Sequence, residues 1–148
     1  MNFFFSIYTL PLLFVVTIQK SKALPSLGFV QSAAVRGKLI CNQTAASNVL
    51  VKLWDNDRFD IDDLMDSAFT DADGTFELKG KETEITAIDP KLNIYHRCGD
   101  SKALCARKLS IFLPSEFVFK GPLPKRTFDL GTFSLDSIFE GEVRDCIH

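Results

Sequence analysis

The chain has 148 residues, and its seventeen basic and nineteen acidic side chains give a formal net charge of −2. That balance argues against nucleic acid as the main partner, because such binders carry a net basic footprint. The length is that of one ordinary domain, with no second domain or internal repeat.

Phe3 to Ile18 is almost wholly apolar and is closed by Lys20 and Lys22. The run is short for a membrane span, Pro11 would break a spanning helix, and Ser21-Lys22-Ala23 offers small residues to a signal peptidase. Residues 1–23 therefore read as a signal peptide, with Ala33 or Ala34 as fallback cleavage positions. A retained single-helix anchor is the alternative, since no basic residue precedes the run. After cleavage fifteen bases face nineteen acids, a formal charge of −4. Residues 24–34 are expected to be a flexible lead, and 35–148 the folded domain.

Val35 to Cys41 is expected to be the first strand. Asn42-Gln43-Thr44 follows in a polar turn and forms an N-glycosylation sequon, read either as a glycan acceptor at Asn42 or as an unused turn. Val49 to Trp54 is the second strand, with Val49, Val51 and Leu53 on its buried face and Trp54 on the other. Asp55 to Asp66 holds six aspartates, which invites a calcium reading. The EF-hand spacing fails at Phe59, Asp60 and Asp66, so the stretch is read as a loop with one helical turn capped by Asp60, and no metal is expected. Asp71-Ala72-Asp73-Gly74 lies between two strand-like runs and signals a hairpin. Gly80 to Glu84 reads as a charged turn, and Ile85 as the start of a strand.

Thr86 to Cys98 holds a strand end, a proline break and a second strand. Pro90 lacks an amide hydrogen and favours extended geometry at Asp89. Beyond it Leu92, Ile94, His96 and Cys98 share one face, and Asn93, Tyr95 and Arg97 the other. Arg107 to Leu113 is the next strand, ended by Pro114. Ser115 to Arg126 reads as a loop with exposed apolar–basic segments. Thr127 to Leu135 is the last strand. Phe128 and Leu130 keep one face with Phe133 and Leu135 only if the register slips, so a β-bulge is expected at Gly131.

Cys41, Cys98, Cys105 and Cys146 form an even set behind a signal peptide, which points to two disulfides and an oxidising compartment. Three pairings are possible. Cys98–Cys105, closing a short polar loop, and Cys41–Cys146, pinning the tail to the first strand, are the expected pair. Seven or eight short strands with turn signals about every ten residues and no helical period describe an all-β, antiparallel sandwich.

Ile-Asp-Pro-Lys-Leu-Asn-Ile-Tyr-His-Arg-Cys at 88–98 resembles the nematode transthyretin-like family. So do Val-Arg-Gly-Lys-Leu-Ile-Cys at 35–41, Val-Leu-Val-Lys-Leu-Trp-Asp at 49–55, Asp-Asp-Leu-Met at 62–65, Thr-Asp-Ala-Asp-Gly-Thr-Phe at 70–76 and Arg-Asp-Cys-Ile-His at 144–148. The resemblance implies a transthyretin (prealbumin)-like sandwich, a secreted extracellular protein and no known cofactor. One family member is similar to a bridging protein that recognises phosphatidylserine.

The leading expectation is a binding module for a lipid head group or a cell-surface receptor. Its candidate contacts are Phe117, Phe119, Lys120, Lys125 and Arg126, cations beside apolar residues as an anionic lipid surface would require. Carriage of a small apolar ligand is the alternative. An enzyme resembling the 5-hydroxyisourate hydrolases of this fold is disfavoured, because the Tyr-Arg-Gly-Ser ending of those enzymes is replaced by Cys146-Ile147-His148. No catalytic residue is expected; His96 reads as a core residue and His148 as a mobile one. The oligomeric state is left open.

Overall fold

The computed structural model describes residues 27–57 and 61–148. The signal peptide at 1–23 and the Asp60 cap lie outside the described residues. The described chain forms ten strands: β1 (Phe29–Cys41), β2 (Thr44–Ala45), β3 (Leu50–Asp55), β4 (Asp63–Phe69), β5 (Thr75–Glu84), β6 (Pro90–His96), β7 (Ala106–Phe112), β8 (Phe119–Lys120), β9 (Phe128–Ser134) and β10 (Val143–Asp145). Eight of these have three residues or more, in line with the all-β expectation. One sheet runs β10-β7-β6-β3-β4, antiparallel throughout. The other is built on the long β1, which pairs with β2, β5 and β8 antiparallel and with β9 in parallel. Among the described residues no helix is long and apolar enough to cross a membrane.

Strict alternation explains how each sheet finds its inner face. In β3, Val51, Leu53 and Asp55 are buried between half-buried neighbours, and in β5, Phe76 and Leu78 are buried between exposed Thr75, Glu77 and Lys79. Val51, Leu53, Phe76 and Leu78 meet Val35, Leu39, Leu92, Ile94 and Leu135 in the core. Closing that volume supplies the main driving force, roughly 1.5–3 kcal/mol for each large side chain removed from water. Strand β6 is buried on both faces, as befits the middle strand of its sheet, and Pro90 is tolerated because it stands first in the strand.

β9 carries the expected bulge. Arg36 pairs with Asp129 and Lys38 with Thr132, so β9 holds one extra residue, and Gly131 sits there at φ 70°. The slip keeps Phe128, Leu130, Phe133 and Leu135 against the core.

Several local expectations are corrected. β1 begins at Phe29, not Val35, so most of the expected flexible lead is strand. Ala33 and Ala34 are buried in it, and cleavage after either would remove the stretch that pairs with β8. Gly80 to Glu84 continues β5 because β1 runs far enough to pair with it, Phe29 to Glu84. Ile85 lies beyond that strand and is exposed. The expected helical turn is replaced by strand β4, whose Met65 packs on the core while Leu64 is exposed.

The Asp-Gly turn is not a hairpin, since β4 pairs with β3 and β5 with β1. It carries the chain from one sheet to the other. Asp71 holds it by accepting from Asp73 N (2.9 Å), Thr75 N (2.9 Å) and Thr75 Oγ1 (2.6 Å), and the Thr75 bonds lower its carboxyl below the usual range. A Cβ on Gly74, at φ 76°, would stand 2.3 Å from the Leu39 carbonyl oxygen, so only glycine lets the turn lie on β1.

The cysteines pair as Cys41–Cys98 and Cys105–Cys146, not as expected. The first bond joins the two sheets. The second follows the β7–β10 register: Asp145 faces Ala106, and the next rung is Cys146 opposite Cys105. The 98–105 loop needs no disulfide, because Arg97 donates to the carbonyls of Ala103 (3.2 Å) and Leu104 (3.4 Å) and Arg144 pairs with Asp100.

Candidate binding surface

The strands give the sandwich two unlike ends. Both disulfides, the Asn42 turn and the Asp71–Gly74 corner lie at one, the closed end. The start of β1, the ends of β3, β5 and β7, and β8 lie at the other, the open end. The sequence-read contact residues all belong to the open end.

After Pro114 the chain makes a single 3₁₀ turn, Ser115–Phe117, with Phe117 N donating to the Pro114 carbonyl at 2.9 Å. Val118 then packs on the core, and Phe119 and Lys120 pair with Ser32 and Gln31 of β1. Gly121 N donates to the Val30 carbonyl at 2.8 Å, so the next loop starts beside β1. Phe117 packs edge-on against Phe128, with ring centroids 5.2 Å apart. The exposed Arg126 guanidinium lies 5.0 Å from the Phe117 ring and 5.9 Å from Phe119, and donates to the Glu116 carbonyl at 3.1 Å. The fold thus brings Phe117, Phe119 and Arg126 together, with Lys120 beside them on β8; Lys125 precedes Arg126, and both lysines are exposed. The two rings are half-buried supports rather than the exposed apolar segment expected of them.

The exposed apolar side chains here are others: Leu27, Phe29 and Leu123, with Phe29 70% exposed. The reading of 24–34 as a lead hid the first two. The β1–β8 pairing sets Lys120 opposite Gln31, so that Phe29 stands two residues before the position facing Lys120.

Across β1 from this loop the open end is acidic. Asp55 is on the inward face of β3 and 1% exposed. Its Oδ1 accepts from Asp89 N at 2.7 Å. Burial, and then the nearby charges of Asp57, Glu84 and Glu82, raise its carboxyl to about 6.

The closed end places the remaining residues. Arg107, 5% exposed, pairs with Glu142, and also donates to the carbonyls of Cys98 (2.8 Å) and Ser137 (2.6 Å). The Arg107 hydrogen bonds hold the Glu142 carboxyl below its usual range. Sequence reading passed over this pair. His96 is buried as expected, accepts from Cys98 N at 3.3 Å, and is lowered to about 4 by burial and by Arg107. Asn42 is exposed in a turn at φ 50° whose backbone N donates to Asp136 at 2.7 Å.

A groove of about 480 Å³ crosses the outer face of the antiparallel sheet, lined among others by Lys52, Trp54, Tyr95 and His148. Lys52 stands 5.5 Å from the Trp54 ring. His148 stacks on Tyr95 at 5.0 Å and so is not the mobile residue expected.

The Transthyretin-like family model matches residues 36–114. Several Caenorhabditis elegans proteins align over most of the chain. Transthyretin-like protein 5 is 51% identical, covering 82% of this chain and 88% of its own. Transthyretin-like protein 46 is 44% identical over 79% and 66%, and transthyretin-like protein 33 is 45% identical over 81% and 85%. With the sandwich, the motifs and these alignments in agreement, the chain belongs to the transthyretin-like family.

Proposed function

We propose that this protein is a secreted, extracellular binding module whose open end docks on an anionic lipid surface. The observation that carries the reading is the Arg126 guanidinium held over Phe117 and Phe119, with Lys120 next along β8 and the exposed Phe29 at the start of the strand that β8 pairs with. Rings fixed by the core orient the cation, and exposed apolar side chains next to it can enter the boundary between head groups and acyl chains. Each base near such a surface adds on the order of 1 kcal/mol. Charges more than about 8 Å away are screened at physiological salt; the carboxylates that lie closer, Glu84 opposite Phe29 among them, oppose the contact and leave the basic loop to carry it. The two disulfides accord with an extracellular setting. A glycan on Asn42 would sit at the closed end, away from the membrane.

The test is co-sedimentation of the oxidised protein with phosphatidylserine or phosphatidylcholine vesicles. Selective pelleting with phosphatidylserine is expected. Replacing Lys120, Lys125 and Arg126 together by alanine should weaken it by on the order of a hundredfold with little change in stability. Equal pelleting with both lipids, or an unaffected triple variant, would refute the reading. A second reading, carriage of a small apolar ligand or docking of a cell-surface receptor, draws on the groove over Trp54 and Tyr95. Absence of pelleting with either vesicle would favour it.

A further inference from the structure

The acidic 55–66 stretch does not follow EF-hand spacing, but the fold adds a ligand that the stretch itself does not contain. Glu84, at the last position of β5, comes to the end of β3. One carboxylate oxygen each from Asp55, Asp57 and Glu84 lies within 4.8 Å of the other two. The second observation concerns Asp55 alone. Its Oδ1 is satisfied by the Asp89 amide, while its Oδ2 is buried without a hydrogen-bond partner. A carboxylate oxygen on the core face of a strand, stripped of water and unpaired, is costly unless a cation or proton meets it.

We propose that Asp55, Asp57 and Glu84 form a binding site for a calcium-class divalent cation at the open end. The oxygen-only donor set is what a hard cation selects. Three carboxylates fall short of the six to eight oxygens calcium takes, so water completes the shell and the affinity belongs in the extracellular range, roughly 10⁻⁴–10⁻³ M. The site is part of the fold: Asp55 ends β3, Glu84 ends β5 opposite Phe29, and Asp89 leads into β6. A bound cation would clamp the two sheets where no disulfide joins them. Cation binding here is independent of whether the basic loop meets a lipid.

The experiment is thermal unfolding and titration calorimetry of the oxidised protein without vesicles, first in EDTA and then with CaCl₂ up to about 10 mM. Calcium is expected to raise Tm by on the order of 5 °C, with one-site heats. The variants Asp55→Asn and Glu84→Gln should each abolish the rise; the half-buried Glu84 provides a variant that keeps the fold even if Asp55→Asn does not. An unchanged Tm in 10 mM calcium, a rise that persists in Glu84→Gln, or a larger rise with MgCl₂ would overturn the assignment.

Discussion

At the closed end of the sandwich two disulfides, the Arg107–Glu142 pair and the β7–β10 ladder fix the chain, with the neutral His96 Nε2 left without a partner. At the open end a buried carboxylate has one oxygen unpartnered, Phe29 and Ile85 stand in solvent, and the Arg126 cation rides on two half-buried rings. The same two sheets run through both ends, so the difference lies in what terminates the strands. Covalent and buried ionic links at one end allow the other to leave groups unpaired. Stability is stored at the closed end, and both proposed binding sites lie at the open one.

The largest effect should come from breaking the closed end at its buried ion pair. Arg107→Ala leaves Glu142 uncompensated and strips donors from the Cys98 and Ser137 carbonyls. A loss of about 3–5 kcal/mol is expected, read from the denaturant midpoint. The double change Arg107→Met with Glu142→Leu should cost less, because no charge is left buried. A cost equal to that of Arg107→Ala would mean that the carbonyl contacts, not the pair, carry the effect.

A smaller loss is expected on opening the edge disulfide. Replacing Cys105 and Cys146 by serine frees a link spanning 41 residues and should cost about 2–4 kcal/mol. Because β10 pairs only with β7 among the described residues, its release should raise amide exchange in Ala106–Lys108 and loosen His148 from Tyr95. Vesicle pelleting should be unchanged. A drop in pelleting would show that the two ends are coupled and would undo the division of labour drawn above.

Much of this contrast could be read from the residues, and what could not has a common cause. Alternation in Val51-Lys52-Leu53 and Phe76-Glu77-Leu78 announced the strands, and the misfit of Phe133 and Leu135 announced the bulge, because those signals are local. The disulfide pairing failed because it depends on β10, a three-residue strand with no apolar alternation, whose register against β7 is set by the tertiary fold. The Asp71–Gly74 turn was legible as a turn but not as a crossing between sheets, since its local chemistry is the same in both. The sequence motif located Lys120, Lys125 and Arg126, yet it took the β1–β8 pairing to add Phe29. It took the β1–β5 pairing to carry Glu84 to Asp55, some thirty residues away along the chain.

The smallest expected effect is the pH response of the calcium-free protein, where the two ends oppose each other. His96, lowered to about 4 by burial and Arg107, with Arg144 also disfavouring its charge and Glu142 favouring it, contributes stability that is present above pH 6.5. That stability is lost as pH falls through 4. Asp55, raised to about 6, contributes stability that is present below pH 3.8 and lost as pH rises through 6. Each shift corresponds to about 3 kcal/mol when fully expressed. In EDTA, acidification from pH 6.5 to 4.5 should therefore change stability by only about 1–2 kcal/mol, because the Asp55 gain offsets most of the His96 loss while the lowered carboxyls, Glu142 first among them, add a smaller loss. Asp55→Asn removes the gain, so the variant should be more stable than the parent at pH 6.5 and fall by about 2–3 kcal/mol over the same interval, as followed by urea unfolding at each pH. A parent that falls as steeply as the variant would mean that Asp55 is already ionised without cost, and the open end would then be as well satisfied as the closed one.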